Sequence, residues 1–107
     1  MSEQQGQVSR AVETFMMEAS GHAQAWAMAI QGLASASALE QKTGELAYLA
    51  VLAALRLEGG IPFHVQCAKK AGASREEVIS ALLVGLPAAG IGVTQVLPLA
   101  LATYDAR

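Results

Sequence analysis

Apolar residues recur along this chain at helical spacing, and no run alternates polar and apolar residues for long enough to propose a sheet. β-Branched residues are few against many Ala and Leu, which also favours helix. A first helix is predicted over about Val8 to Ala19, with Val8, Ala11, Val12, Phe15, Met16 and Ala19 on one face. Ser20-Gly21 marks its end, and a second helix runs from about His22 to Ala34 with His22, Trp26, Ile30 and Leu33 in one stripe. Ser37-x-x-Glu40 has the form of a capping box, so a third helix starts there or a few residues later and continues to about Arg56. Its run from Leu46 to Leu55 is hydrophobic all round, which predicts a central, buried helix.

Gly59-Gly60 is the sharpest turn signal, and Pro62 suits the first turn of a fourth helix that places Ile61, His64, Ala68 and Ala71 on one face. Gly72 is its natural stop. Ser74-x-x-Glu77 is a second capping box, opening a fifth helix over about Arg75 to Leu86. Pro87 and Gly90-Ile91-Gly92 close it, and a sixth helix is expected from about Val93 to Tyr104 with Pro98 bending it. The expected fold is therefore all-α, a compact bundle of about six helices.

Length and composition sharpen this picture. A chain of 107 residues holds one domain, so residues 1–107 are expected to fold together. Of these residues 53% are hydrophobic and 15% charged, against a usual charged share of about 25%. One small core cannot hide that much apolar surface, which predicts a homo-oligomer. A membrane is the alternative outlet, since Val78 to Tyr104 carries no charge until Asp105. Gly85, Pro87, Gly90, Gly92 and Pro98 break that stretch, so two buried helices and a turn are the better reading, with no membrane partner. Ser2-Glu3-Gln4-Gln5 offers no secretory signal, and the single cysteine, Cys67, fits a reducing cytoplasm. A net charge of −2 with scattered basic residues gives nucleic acid nothing to bind.

Three segments carry a resemblance. Glu45-Leu46-Ala47-Tyr48-Leu49-Ala50, Gly60-Ile61-Pro62-Phe63-His64-Val65-Gln66 and Ala71-Gly72-Ala73-Ser74-Arg75-Glu76-Glu77-Val78 resemble the carboxymuconolactone decarboxylase family, over about Trp26 to Tyr104. Its alkylhydroperoxidase D-like branch has a glutamate, eleven residues, a cysteine, two residues, a second cysteine, three residues and a histidine. Glu45 and His64 stand at the outer positions, but Leu57 and Gly60 occupy the inner two. A dithiol peroxidase needs one thiolate to attack peroxide and another to resolve the sulfenic acid, and Leu57 and Gly60 can do neither. The resemblance is closer to the decarboxylase branch, which lacks the cysteine pair, keeps the glutamate and histidine, and acts on a small cyclic lactone acid. It implies trimers or hexamers, a small carboxylate or lactone as substrate, and no cofactor.

Glu45 and His64 are therefore the candidate catalytic pair, suited to proton transfer near neutral pH. The bland alternative makes Glu45 a helix-start carboxylate and His64 a core histidine. Cys67 shares a helix face with His64 and is an accessory candidate, though a lone cysteine is commonly an inert small hydrophobe. Gly60 is the other accessory, because the Gly60–Phe63 backbone N–H groups are the donors nearest His64 for a developing anion. His22 reads as a half-buried packing or interface residue, and Phe15-Met16-Met17 as packing. No His, Cys, Asp or Glu cluster has metal-ligand spacing.

Geometry argues against the pair. In a simple antiparallel hairpin turning at Gly59, Glu45 lies about 20 Å down helix three and His64 about 7 Å down helix four. Strictly parallel axes would keep the side chains apart. An oblique crossing, a bridging water or a neighbouring subunit would be needed. Three functions stay open: acid–base decarboxylation or isomerisation in a pocket among helices three, four and five; a degenerate peroxidase using Cys67 alone; and a non-catalytic oligomeric binder of small ligands.

Overall fold

A computed structural model describes residues 3–107, with side chains from residue 10 onward. All regular structure among the described residues is helical. Six helices have nine or more residues: α1 (Glu3–Glu18), α2 (Ser20–Ala36), α3 (Gln41–Leu55), α4 (Ile61–Lys70), α5 (Arg75–Leu83) and α7 (Leu97–Asp105). A four-residue turn, α6 (Leu86–Ala89), and 3-10 segments at Glu58–Gly60 and Ile91–Val96 connect them. No described helix is long and apolar enough to cross a membrane. The chain divides into two compact units, Met1–Ala38 and Leu39–Arg107.

In the first unit the break between α1 and α2 is a single residue, Ala19, and Ser20 and Gly21 already belong to α2. The Phe15 and Trp26 rings meet edge to face at 6.0 Å. Of the described side chains here only Ala23 is buried. Met16, Met17, Met28 and Leu33 are exposed, and so is His22, which was expected to be half-buried. The side chain of Val8 lies outside the described residues.

In the second unit α3 does start a few residues after Ser37, but not through the expected capping box. Glu40 is itself the cap: its carboxylate accepts from the Thr43 N–H at 3.1 Å and the Thr43 hydroxyl at 2.8 Å. Ser37 instead closes α2, donating its N–H to the Ala34 carbonyl. The box at α5 forms as predicted, with Glu77 N–H on Ser74 Oγ and Ser74 N–H on Glu77 Oε1. The Glu77 carboxylate also meets Lys42 Nζ at 3.2 Å, tying α5 to α3. These contacts, led by the Ser74 N–H, hold the Glu77 carboxyl below its usual value.

α4 stops where Gly72 adopts φ +99, with Gly72 N–H on the Lys69 carbonyl and Ala73 N–H on Ala68. The C-terminus is pinned to that corner. Tyr104 Oη donates to the Ala73 carbonyl, Lys69 Nζ donates to the Tyr104 carbonyl, and Arg75 pairs with Asp105. Pro98 does not bend a helix: it is the second residue of α7. Proline there lacks only an N–H that has no helical partner, whereas deeper in a helix its ring would strike the carbonyl four residues back. The chain upstream of it takes the tighter 3-10 form instead.

The core is built from Leu49, Leu52 and Ala53 of α3, Ile61, Val65 and Ala68 of α4, Val78 and Leu82 of α5, and Val93, Val96 and Ala100. Spacings of three, four and seven put each set on one face, and each fully buried Leu, Ile or Val contributes about 1.5–3 kcal/mol. α4 turns inward on Val65, which leaves His64 beside the core. α3 packs against both α4 and α5, yet it is not buried all round, because Tyr48, Val51 and Leu55 remain exposed. The rest of this unit covers only part of its circumference.

Candidate functional site

Glu45 and His64 touch within one chain. His64 Nδ1 lies 2.9 Å from Glu45 Oε2, and each side chain is 22% exposed. The hairpin estimate failed because the connection does not carry the chain beyond the end of α3. Arg56 adopts a left-handed conformation (φ 58), its N–H bonds the Ala53 carbonyl, and Leu57 N–H bonds Leu52. This closes α3 by the device that glycine serves at Gly72. The 3-10 turn then brings Gly60 back against Leu52, so close that an added Cβ would stand 3.2 Å from Leu52 Cδ1. α4 thus begins alongside Leu52. From that level Glu45 is about 10 Å back along α3 and His64 about 6 Å along α4, a gap two side chains can span.

The bond sets the chemistry of the ring. A neutral imidazole facing a carboxylate carries its proton on Nδ1 and donates it, which leaves the Nε2 lone pair free to accept. Among the described residues Nε2 has no hydrogen-bond partner. If Nε2 takes a proton, the imidazolium has a carboxylate beside it. Two aromatic rings complete the surroundings. Tyr48 stacks on His64 at 4.2 Å with 29° between planes, and Phe63 meets it edge-on at 5.1 Å and 89°. Sequence reasoning assigned neither ring a role, although Tyr48 lies three residues after Glu45 and hence on its side of α3.

The family model described as the carboxymuconolactone decarboxylase family matches residues 21–102. The chain belongs to the carboxymuconolactone decarboxylase family. No curated protein and no solved structure matches it. Within this decarboxylase-family chain Cys67 is the only cysteine. Its thiol is half-buried, and burial first and the Glu45 charge second push it above its ordinary value, with Lys70 opposing. Both leading causes disfavour the thiolate that nucleophilic sulfur chemistry needs.

The Gly60–Phe63 amides are fewer than the sequence reading counted. Pro62 has no N–H, Ile61 N–H is taken by the Glu58 carbonyl, and Gly60 N–H belongs to the same 3-10 turn, where the carbonyl three residues back accepts it, which leaves Phe63. The expected pocket among three helices is also displaced. A groove of about 660 Å³ runs between α3 and α5, lined by Leu46, Ala47, Ala50, Ser80, Ala81 and Val84 among others, and includes neither Glu45 nor His64. At 100° per residue Glu45 points about 150° away from the α3 side chains of this groove. The pair stands instead at the surface, where Tyr48, Val51, Leu55 and Phe63 are exposed.

Proposed function

We propose that this carboxymuconolactone decarboxylase-like protein is a lyase or isomerase that performs acid–base chemistry on a small carboxylate or lactone through Glu45 and His64. The observation that carries the reading is the 2.9 Å Glu45–His64 bond. A carboxylate bonded to one imidazole nitrogen, with the other left to exchange a proton with substrate, is the arrangement that acid–base chemistry requires, and this bond supports it. In a decarboxylation the C–C bond to the carboxylate breaks, CO2 leaves, and the electron pair enters the unsaturated lactone as a dienolate. Nε2 first takes up a proton from water, and the resulting imidazolium delivers it to carbon and returns to the neutral Nδ1–H ring. The Glu45 carboxylate stabilises the imidazolium, while the Phe63 amide is the backbone donor nearest the developing anion. No step calls for a cofactor.

A homo-oligomer, trimer or hexamer, belongs to this reading. The exposed Tyr48, Val51, Leu55 and Phe63 beside the pair form an apolar surface that an enzyme must cover to exclude water from the reaction. The lone thiol fits a reducing cytoplasm. The separate α3–α5 groove favours a second reading, a non-catalytic binder of small apolar ligands. Mass spectrometry of metabolites that copurify with the protein, together with turnover of Glu45→Gln and His64→Asn, tests the two. A bound lactone or carboxylate whose conversion needs both residues supports the enzyme. An apolar ligand held equally by both variants supports the binder.

A further inference from the structure

We propose that Tyr48 is a positioning residue that holds the His64 imidazole in the orientation that keeps Nδ1 on Glu45, a proposal that rests on the reading of Glu45 and His64 as the working pair. One hydrogen bond does not fix a ring. The terminal torsion of histidine is broad and roughly two-fold. The imidazole can swing about the Nδ1···Oε2 line, and a half-turn replaces Nδ1 by a carbon opposite the carboxylate. The Tyr48 ring, 4.2 Å away and near parallel, lies over one face, so a swing out of that plane and the passage through a half-turn both lose the stack, while the Glu45 bond distinguishes the two ends of the half-turn. Phe63, perpendicular at 5.1 Å, restricts the edge.

Burial does not account for Tyr48. The residue is 49% exposed, and its hydroxyl makes no hydrogen bond among the described residues, unlike that of Tyr104. Its contact with His64 is a stack of two aromatic rings with 29° between their planes, the kind of pairing that adds stability beyond the area it buries. Glu45 and Tyr48 are three residues apart on α3, so a single helical turn supplies both the in-plane anchor and the facial one. The Glu45 charge also reaches Cys67 on α4.

The test is 15N and 1H NMR of the imidazoles in the full chain, at a pH where histidine is neutral. His22, exposed in the same chain, serves as the internal reference. In the wild type His64 should carry its proton on Nδ1, and its ring protons should lie upfield of those of His22 through the tyrosine ring current. Tyr48→Phe should preserve both signatures. Tyr48→Leu should lose the upfield shift and move His64 toward the Nε2–H form that free histidine prefers. An unchanged Nδ1–H signature in a folded Tyr48→Leu overturns the proposal, as does a Tyr48→Phe that behaves like Tyr48→Leu. Should Tyr48→Leu not fold, the wild-type spectrum decides: ring protons that coincide with those of His22 remove the stack and the proposal with it. A wild type protonated on Nε2 instead overturns the Glu45–His64 reading itself, so the two failures are told apart.

Discussion

Glu45→Gln keeps the length and shape of the side chain and removes its charge. The amide oxygen can still accept from His64 Nδ1, so the 2.9 Å contact need not open. Only the charge-assisted part of the bond is lost, about 1 kcal/mol. For a domain of this size that lowers the thermal midpoint by about 4–8 °C. The transition state loses more. Once His64 is protonated, charges about 4 Å apart interact by about 4 kcal/mol near a protein surface and about 1 kcal/mol in bulk water. Both side chains are 22% exposed, which places the pair between these limits. At about 2–3 kcal/mol the rate falls roughly 30- to 150-fold. His64→Asn should abolish turnover outright while keeping the fold. The assays are CO2 release from a panel of small unsaturated lactone acids and the thermal midpoint by circular dichroism. A lowered midpoint with unchanged turnover in both variants would refute the catalytic reading. Loss in His64→Asn alone would reduce Glu45 to a structural partner.

Peroxide reduction coupled to lipoamide or thioredoxin should be absent or very slow, because Leu57 and Gly60 replace the dithiol and Cys67 is held as a thiol; robust turnover abolished by Cys67→Ser would overturn this. Light scattering should give three or six subunits, and a stable monomer at micromolar concentration would sink the oligomer. Glu77 and Asp105 both have carboxyls held below their ordinary values, Glu77 first by the Ser74 N–H and Asp105 first by its hydrogen bond from Arg75. Their contribution is therefore present above the unfolded-state value and lost as pH falls through the lower folded-state value. The midpoint difference between wild type and Glu77→Gln should accordingly shrink from neutral to strongly acidic pH, and a difference that persisted in acid would contradict the assignment.

Local patterns in the sequence were enough to determine the helical class, the stop at Gly72, the capping box at Ser74 and the absence of a redox dithiol. Each depends on a few neighbouring residues: a backbone freedom only glycine has, a hydroxyl and a carboxylate three residues apart, two missing thiols. The same local logic misjudged Glu40, which caps α3 itself, and Pro98, which begins a helix where a bend was expected. At both positions one residue type serves two roles, and the surrounding chain selects between them. The site was half legible. Glu45 and His64 could be named from the family resemblance, but counting rise per residue along two straight helices kept them apart. Their contact depends on Arg56 taking a left-handed turn and on Gly60 doubling back against Leu52. A non-glycine in that conformation carries no sequence signal, because its cost is met by packing from residues distant in the chain. Tyr48 over His64, and the groove on the far side of α3, were likewise decided only when α4 and α5 took their places. A helix presents every face in its sequence, and only its neighbours determine which of them becomes core, groove or site.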